Sequence, residues 1–319
     1  MKKYFLIAIL SLLLFNCEES SKNIGVISEK AMVVSARKEA SQIGIDILKK
    51  GGNAYDAMIA TQFALAVVYP IAGNIGGGGF MVYRNNDGTK GALDFREKAP
   101  IAASKNMYLD SLGNVIPTKS EFGALAVGIP GSVAGIFEVY KKFGTLPFKE
   151  LIQPAIDLVR NGFRVTKKQA ISLNSSSKAF EKANSYKTDF QKEWKEGDLL
   201  KQEALAQTLE RIRDFGKDGF YKGKTADLLV NYITELGGII THEDLEKYTA
   251  IWRNPITFQY KDYQITSMTL PASGGICLAQ ILKLIEPFNL DTIKQNSTQY
   301  IQLLTEAERR SYADRAHYL

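Results

Sequence analysis

The sequence predicts a mixed α/β fold of the α+β type, in which hairpins of antiparallel strands and amphipathic helices occupy separate stretches. The first observation is a run of four glycines, Gly76–Gly79, directly before the apolar residues 80–83. A turn sequence at 85–88 then separates these residues from a second extended run at 91–95. Glycine adopts the positive φ that tight turns require, so this stretch predicts a glycine loop followed by a two-stranded hairpin. The second observation is the helical spacing of apolar residues along the middle of the chain, with glycines where helices are expected to end.

The other elements follow from local patterns. Ala31–Ser35 is a short apolar run that predicts a buried strand. Glu39–Lys50 has apolar residues on one face and is followed by Gly51, which predicts a helix and its end. Asn53 is a good N-cap for Ala54–Val68, and the apolar residues on nearly every side of that helix place it in the interior. Further helices are predicted at 128–142, 154–160, 167–173, 202–215, 225–236, after Ser273-Gly274-Gly275, and at 297–318, and further strands at 257–260 and 263–268.

Length and composition are those of a soluble globular protein. With 319 residues the chain can bury a sizeable core, in one large domain or two small ones. It is 45% apolar and 23% charged, and its net charge is +6, to which Lys2 and Lys3 of the N-terminal segment contribute two charges. The other basic residues form isolated pairs and no stripe with aromatics between them. Nucleic-acid binding is therefore not supported.

The N-terminal residues have the order of a secretory signal. Two lysines follow the first methionine, residues 4–15 are apolar except for one serine, and the run ends at Cys17 before a polar tract. The apolar run is too short to span a bilayer. This order resembles a bacterial lipoprotein signal, although Asn16 differs from the small residue usual before the cysteine. We predict a signal peptide at 1–16, a lipidated Cys17 and a tether at 17–28, and therefore an exported lipoprotein anchored to a membrane on its periplasmic or cell-surface side. The alternative is plain secretion with Cys17 as a free thiol.

The few cysteines and histidines predict neither a disulfide framework nor a metal site. If Cys17 is acylated, Cys277 has no partner, and its position at an apolar helix start predicts a small core residue. His242 lies in a predicted capping box and His317 on a charged helix end, so both are expected to be exposed. No cofactor is expected.

Arg96 follows the second strand of the predicted hairpin. Its guanidinium is a permanently charged fork that can hold a carboxylate through two hydrogen bonds, and binding groups are common at the ends of rigid strands. Asp94 and Glu97 flank it in sequence. On spacing alone, an ordinary ion pair with one of these acids is the preferred interpretation, and binding of a ligand carboxylate is the other.

Six short segments occur in order between residues 51 and 315. They are Gly51-Gly52-Asn53-Ala54-x-Asp56-Ala57, Ala72–Met81, Asp94-Phe95-Arg96-Glu97-x-Ala99-Pro100, Gly128–Gly135, Pro271-x-Ser273-Gly274-Gly275, and Glu306-Ala307-Glu308 with Tyr312–Arg315. Together they resemble the γ-glutamyltransferase (glutathione hydrolase) family. The resemblance implies an N-terminal-nucleophile hydrolase-like αββα sandwich, incomplete here, in which residues 29–319 form a helix-rich larger-subunit region. It also implies that Arg96 holds the α-carboxylate of the γ-glutamyl group, which reverses the preference for an ion pair.

The resemblance implies an enzyme that transfers the γ-glutamyl group of glutathione or another γ-glutamyl compound to water, an amino acid or a peptide through an acyl-enzyme. In this family a proenzyme cleaves itself before a threonine, and the new α-amine activates the threonine hydroxyl as the nucleophile of a smaller subunit. No Thr-Thr pair occurs here, and the nearest match, Thr241-His242, is followed by the acids of a capping box. We therefore expect no catalytic residue within residues 1–319, a smaller catalytic subunit as partner, and no activity from these residues alone.

Two alternatives remain from the sequence. One is a related N-terminal-nucleophile amidase or acylase with a different acyl specificity, and Arg96 counts against acyl groups that lack an α-carboxylate. The other is an inactive, truncated surface lipoprotein.

Cys17→Ser should abolish membrane anchoring, because the Cys17 thiol is the predicted site of acylation. After expression in a bacterium, we expect the wild-type protein, lipidated at Cys17, in the detergent phase of a detergent extraction and the variant in the aqueous phase. Equal partitioning of both proteins into the aqueous phase would contradict the assignment.

Overall fold

The computed structural model describes residues 25–319. The predicted signal peptide at 1–16, the predicted lipidation site Cys17 and most of the predicted tether lie outside the described residues. The chain divides into two units between Val34 and Ser35. In the first unit, the described residues 25–34 form neither helix nor strand. The strand predicted at Ala31–Ser35 is therefore wrong: the Val34 side chain is 81% exposed, and an apolar run without a paired neighbour does not become a strand.

The second unit, residues 35–319, contains the helices and strands that follow. The helices are α1 (Lys38–Lys49), α2 (Ala54–Val68), α3 (Ser132–Phe143), α4 (Phe148–Asn161), α5 (Lys167–Ala183), α6 (Glu203–Phe215), α7 (Asp218–Tyr221), α8 (Gly223–Glu235), α9 (His242–Lys247), α10 (Gly274–Ile285) and α11 (Thr298–Tyr318), with short 3-10 turns at Ala124–Ala126 and Leu290–Thr292. The strands are β1 (Phe80–Arg84), β2 (Lys90–Asp94), β3 (Phe163–Arg164), β4 (Leu199–Leu200), β5 (Ile251–Arg253), β6 (Ile256–Tyr260) and β7 (Tyr263–Ser267).

All strand pairs in the described residues are antiparallel. β1 and β2 form the predicted hairpin, with Phe80 opposite Asp94 and Gly88 at φ +86° in the connecting turn. β2 also pairs with β5, so the sheet has the order β1-β2-β5. β3 pairs with β4, and β6 pairs with β7 in the second predicted hairpin. The short strand β5 and its pairing with β2 were not predicted, because three residues carry too little alternation to indicate a strand.

Helix α2 lies in the centre of the helical core. It packs against both α1 and α4, and α4 packs in turn against α6. Phe63 and Val67 are fully buried in this core, where each such side chain contributes about 1.5–3 kcal/mol relative to exposure. The interior position predicted for α2 is confirmed.

Asp56 ties the start of α2 to the loop between α3 and α4. The Asp56 side chain is fully buried and closes a capping box with Asn53, whose main-chain N–H donates to Asp56 Oδ2 at 3.0 Å. The main-chain N–H of Thr145 donates to Asp56 Oδ1 at 3.0 Å, and the Thr145 hydroxyl donates to Oδ2. A buried carboxylate needs such partners, and here they join two segments that are distant in sequence.

Two helices differ from their predicted bounds. The helix predicted from residue 128 begins at Ser132, because Ile129 is extended and forms an isolated antiparallel bridge with Lys98. The helix predicted from Pro154 begins at Phe148, and Pro154 is accommodated inside it. Burial of apolar side chains along α4 outweighs the one main-chain hydrogen bond that a proline removes.

The predicted burial of Cys277 and the predicted exposure of the two histidines are confirmed. Cys277 is buried in α10, and both His242 and His317 are exposed. Among residues 25–319, no group of three or more His, Cys, Asp or Glu side chains has an arrangement that could hold a metal ion. Within the same residues, no helix combines the length and apolar character needed to cross a bilayer.

Asp56→Ala should lower the free energy of unfolding by about 3 kcal/mol, because two main-chain donors lose their acceptor in a buried position. Chemical denaturation of the full-length protein measures this change. The matched control is Asp46→Ala on α1, where the residue is exposed and its carboxylate accepts from the Gln42 side chain alone among residues 25–319. Equal losses of stability for the two variants would contradict the role given to Asp56.

Candidate substrate-binding site

A cleft of about 490 Å³ opens beside the end of strand β2. Three parts of the chain form it: the glycine loop with the β1–β2 hairpin, the loop before α10, and the C-terminal part of α11. They contribute Gly78, Gly79, Phe80, Arg96 and Glu97 from the first part, Pro271, Ala272, Ser273 and Gly274 from the second, and Arg315 from the third. The structure thus brings Arg96 together with residues more than 170 positions away.

Arg96 presents an exposed guanidinium to this cleft. No carboxylate of the described residues lies within 4.0 Å of its nitrogens, so the ion pair with Asp94 or Glu97 that spacing alone favoured is not formed. Asp94 is buried and pairs instead with Arg253, whose Nη2 and Nε lie 2.7 and 2.9 Å from Asp94 Oδ2. The fork of Arg96 therefore remains available for a ligand, and carboxylate binding by Arg96 stays a prediction.

The residue before Arg96 is held by glycines. A Cβ placed on Gly135 would lie 2.4 Å from the Phe95 ring, and one on Gly79 would lie 2.9 Å from it. A Cβ on Gly131 would lie 2.0 Å from the Phe95 main-chain oxygen. Real Cβ atoms essentially never come closer than 3.0 Å to such neighbours, so only hydrogen fits at these positions. The position of Phe95 is therefore fixed, and so is the main chain that leads from Phe95 into Arg96.

Hydrogen bonds make the glycine loop an ordered structure. The main-chain oxygen of Gly77 accepts from the N–H groups of Gly131 and Ser132 at 2.7 and 2.9 Å. Asn74 Oδ1 accepts from the Gly77 N–H at 2.8 Å and from the Ser132 hydroxyl at 2.7 Å. Ser132 is fully buried at the first position of α3. The loop is thus bonded to the start of a helix, and it is not merely a flexible linker between α2 and β1.

The opposite side of the cleft also carries a guanidinium. Arg315 Nε donates to the Ser273 hydroxyl at 2.8 Å, and Ser273 is the N-cap residue of α10. The N-terminus of a helix has partial positive charge, so it adds to the charges of Arg96 and Arg315. Glu97 is the one acid among the residues lining the cleft. The electrostatics of the cleft therefore favour an anionic ligand.

The segments that meet at the cleft can be compared with known proteins. The family model described as gamma-glutamyltranspeptidase matches residues 40–319. The chain belongs to the γ-glutamyltranspeptidase family. A glutathione hydrolase proenzyme of Pseudomonas sp. (strain A14) is 44% identical over 321 residues, which cover 99% of this chain and 56% of that protein. The glutathione hydrolase proenzyme of Escherichia coli (strain K12) is 44% identical over 92% of this chain and 51% of its own length. The chain thus spans about half the length of these curated relatives.

A solved member of the γ-glutamyltranspeptidase family has the same architecture. The crystal structure of Helicobacter pylori gamma-glutamyltranspeptidase matches with a TM-score of 0.89 at 44% identity, over 92% of this chain and 86% of that chain. The N-terminal-nucleophile fold class predicted from the sequence is confirmed.

Four residues that shape the site were not assigned a role from the sequence. Asn74, Ser132 and Arg315 all lie within the segments that resemble the γ-glutamyltranspeptidase family, but their hydrogen bonds join segments distant in sequence. Arg253 lies outside those segments, next to Trp252 on β5. In the sequence, Arg253 is an arginine in a short stretch with strand-forming neighbours. Nothing in that stretch indicates that Asp94 is its partner.

Arg253→Met should destabilise the protein by about 3 kcal/mol, because it leaves the buried Asp94 carboxylate without its charged partner. Thermal and chemical denaturation of the full-length protein measure the loss. Arg309→Met is the control, since Arg309 pairs with Glu306 on the exposed face of α11. The interpretation is wrong if Arg253→Met is no more damaging than this surface change.

Proposed function

We propose that the protein to which this chain belongs is a γ-glutamyltransferase and glutathione hydrolase. It cleaves the γ-glutamyl bond of glutathione or a similar compound and transfers the γ-glutamyl group, through an acyl-enzyme, to water, an amino acid or a peptide. This chain contributes the larger-subunit region and the binding site for one end of the γ-glutamyl group. The threonine nucleophile belongs to a smaller catalytic subunit.

Arg96 is the residue of this chain that binds the α-carboxylate of the γ-glutamyl group. The observation that carries this assignment is an exposed guanidinium, without an ion-pair partner in the described residues, at a strand end that close-packed glycines fix. Because the fork is planar and permanently charged, it can donate two parallel hydrogen bonds to a carboxylate. The second guanidinium of the cleft, that of Arg315, adds to the attraction for an anion.

Export and membrane attachment are part of the same proposal. The two lysines, the apolar run and the polar tract around Cys17 support a lipidated N-terminus on an exported protein. Such a protein would meet γ-glutamyl compounds outside the cytoplasm.

Arg96→Lys should lower kcat/KM for a γ-glutamyl anilide about tenfold or more, because lysine keeps the charge but loses one of two hydrogen bonds to the carboxylate. The comparison donor is the same anilide without its α-carboxylate, and its kcat/KM should change little. Both are measured with the enzyme expressed from its complete gene.

Arg84→Lys provides the matched control. Arg84 is exposed and is the last residue of strand β1, at the opposite end from Phe80, which lines the cleft. It should leave both donors unaffected. If Arg96→Lys slows the two donors equally, Arg96 does not bind the carboxylate and the assignment fails.

A further inference from the structure

Tyr248 bonds the main chain of Arg96 but is not among the residues that line the cleft. Its hydroxyl donates to the main-chain oxygen of Arg96 at 2.7 Å, across 152 positions of sequence. The Tyr248 side chain is buried, with 2% of the residue exposed. This buried hydroxyl donates its hydrogen bond to the main-chain oxygen of the residue whose side chain is proposed to bind the ligand. The bond can therefore fix the position of the Arg96 main chain.

The Tyr248 ring is itself fixed from several directions. The ring of Tyr221 lies nearly parallel to it, at 9°, with the centroids 6.0 Å apart. Lys217 Nζ donates to the Tyr248 main-chain oxygen at 2.9 Å, and Lys98 Nζ lies 4.9 Å from the centroid of the ring. A Cβ on Gly131 would lie 2.2 Å from the Tyr248 hydroxyl oxygen, so glycine leaves just enough space for it. These contacts restrict the Tyr248 side chain to the position in which its hydroxyl reaches the Arg96 main-chain oxygen.

The backbone of Arg96 is held on both sides of its Cα. Its N–H donates to Asp94 Oδ1 at 3.1 Å, and its carbonyl accepts from Tyr248. A Cβ on Gly78 would lie 2.9 Å from the Arg96 Cα, so the third side is also closed. With both flanking peptide groups fixed, the direction in which the Arg96 side chain leaves the backbone is fixed as well.

The chemistry of the hydroxyl suits a permanent structural donor. Burial raises the pKa of Tyr248 above its usual range, so the hydroxyl keeps its proton at the alkaline pH values used in enzyme assays. Burial lowers the pKa of Lys217, which holds the main chain of Tyr248 from behind. The Tyr248 hydroxyl donates to the main chain, and Tyr248 is not among the residues that line the cleft.

We propose that Tyr248 is a positioning residue for substrate binding, which acts through the main chain of Arg96 and sets how strongly the enzyme distinguishes donors that carry an α-carboxylate. The inference rests on the proposed function of Arg96. It adds a specificity determinant that lies in a different part of the chain, between α9 and β5, and does not touch the ligand.

Tyr248→Phe should lower the discrimination ratio about fivefold, because one hydrogen bond to the Arg96 main chain is lost. The ratio is kcat/KM for a γ-glutamyl anilide divided by kcat/KM for the same anilide without its α-carboxylate. Partial unfolding cancels in this ratio, since the same folded molecules process both donors. The enzyme is again expressed from its complete gene.

Tyr221→Phe is the matched control. Tyr221 is 1% exposed and adjoins the same ring, but its hydroxyl donates to the main-chain oxygen of Pro130 at 2.8 Å, accepts from the Ala134 N–H at 3.2 Å, and does not bond Arg96. Both variants lose one buried hydroxyl, and Tyr221→Phe loses two hydrogen bonds, so Tyr221→Phe should lower the melting temperature at least as much as Tyr248→Phe does. The discrimination ratio should fall for Tyr248→Phe alone.

A double variant tests whether Tyr248 acts through Arg96. In the Arg96→Lys background, Tyr248→Phe should cause no further fall in the ratio, because the bidentate contact is already lost. An unchanged ratio for Tyr248→Phe in the wild-type background, an equal fall for Tyr221→Phe, or a full further fall in the double variant overturns the inference and leaves the role of Arg96 intact. A wild-type enzyme that does not discriminate, or an Arg96→Lys variant with an unchanged ratio, overturns the proposed role of Arg96 and this inference together.

Discussion

The close packing of glycines around Phe95 is the constraint on which the rest of the site depends. Gly79, Gly131 and Gly135 come from the glycine loop and from the start of α3, and each would collide with Phe95 if it carried a Cβ. Because these three glycines have no side chain, the glycine loop and helix α3 can approach Phe95 to van der Waals distance. The chain is thus fixed at Phe95, the first residue beyond strand β2, and the next residue, Arg96, lines the cleft.

Where main chains approach closely, their polar groups lose access to water. In this fold, other main-chain groups and side chains form hydrogen bonds with them. The Gly77 carbonyl accepts two N–H groups from the start of α3, and the Arg96 carbonyl accepts the hydroxyl of Tyr248. The buried carboxylate of Asp94 accepts from the main chain of Arg96 and pairs with Arg253 on the neighbouring strand. Because unpaired buried groups are costly, these bonds stabilise one arrangement of the loop and strand over its alternatives.

The sequence predicted those features whose signals are local. The hairpin at 80–95, the caps at Asn53 and Thr241, and the interior position of α2 all depend on residues within a few positions of one another. Strand β5 and the bonds of Tyr248 and Arg253 depend on partners about 150 residues away, which no local pattern specifies. The local setting of Arg96 drew attention to it, whereas no local pattern shows that Asp94 pairs with Arg253 and that Arg96 has no ion pair among the described residues.

The cleft is held together by contacts between segments that are distant in sequence, and the lengths of the connecting stretches do not enter into these contacts. Long stretches separate several of the segments that meet at Phe95 and Arg96. Residues 184–198, for example, contain neither helix nor strand. At their exposed positions, which here exclude the buried Trp194, such stretches tolerate insertions and deletions at small energetic cost. Evolution is therefore free to lengthen or shorten the chain between these segments, while a single methyl group added at Gly131 or Gly135 would have to be matched by changes in several segments at once.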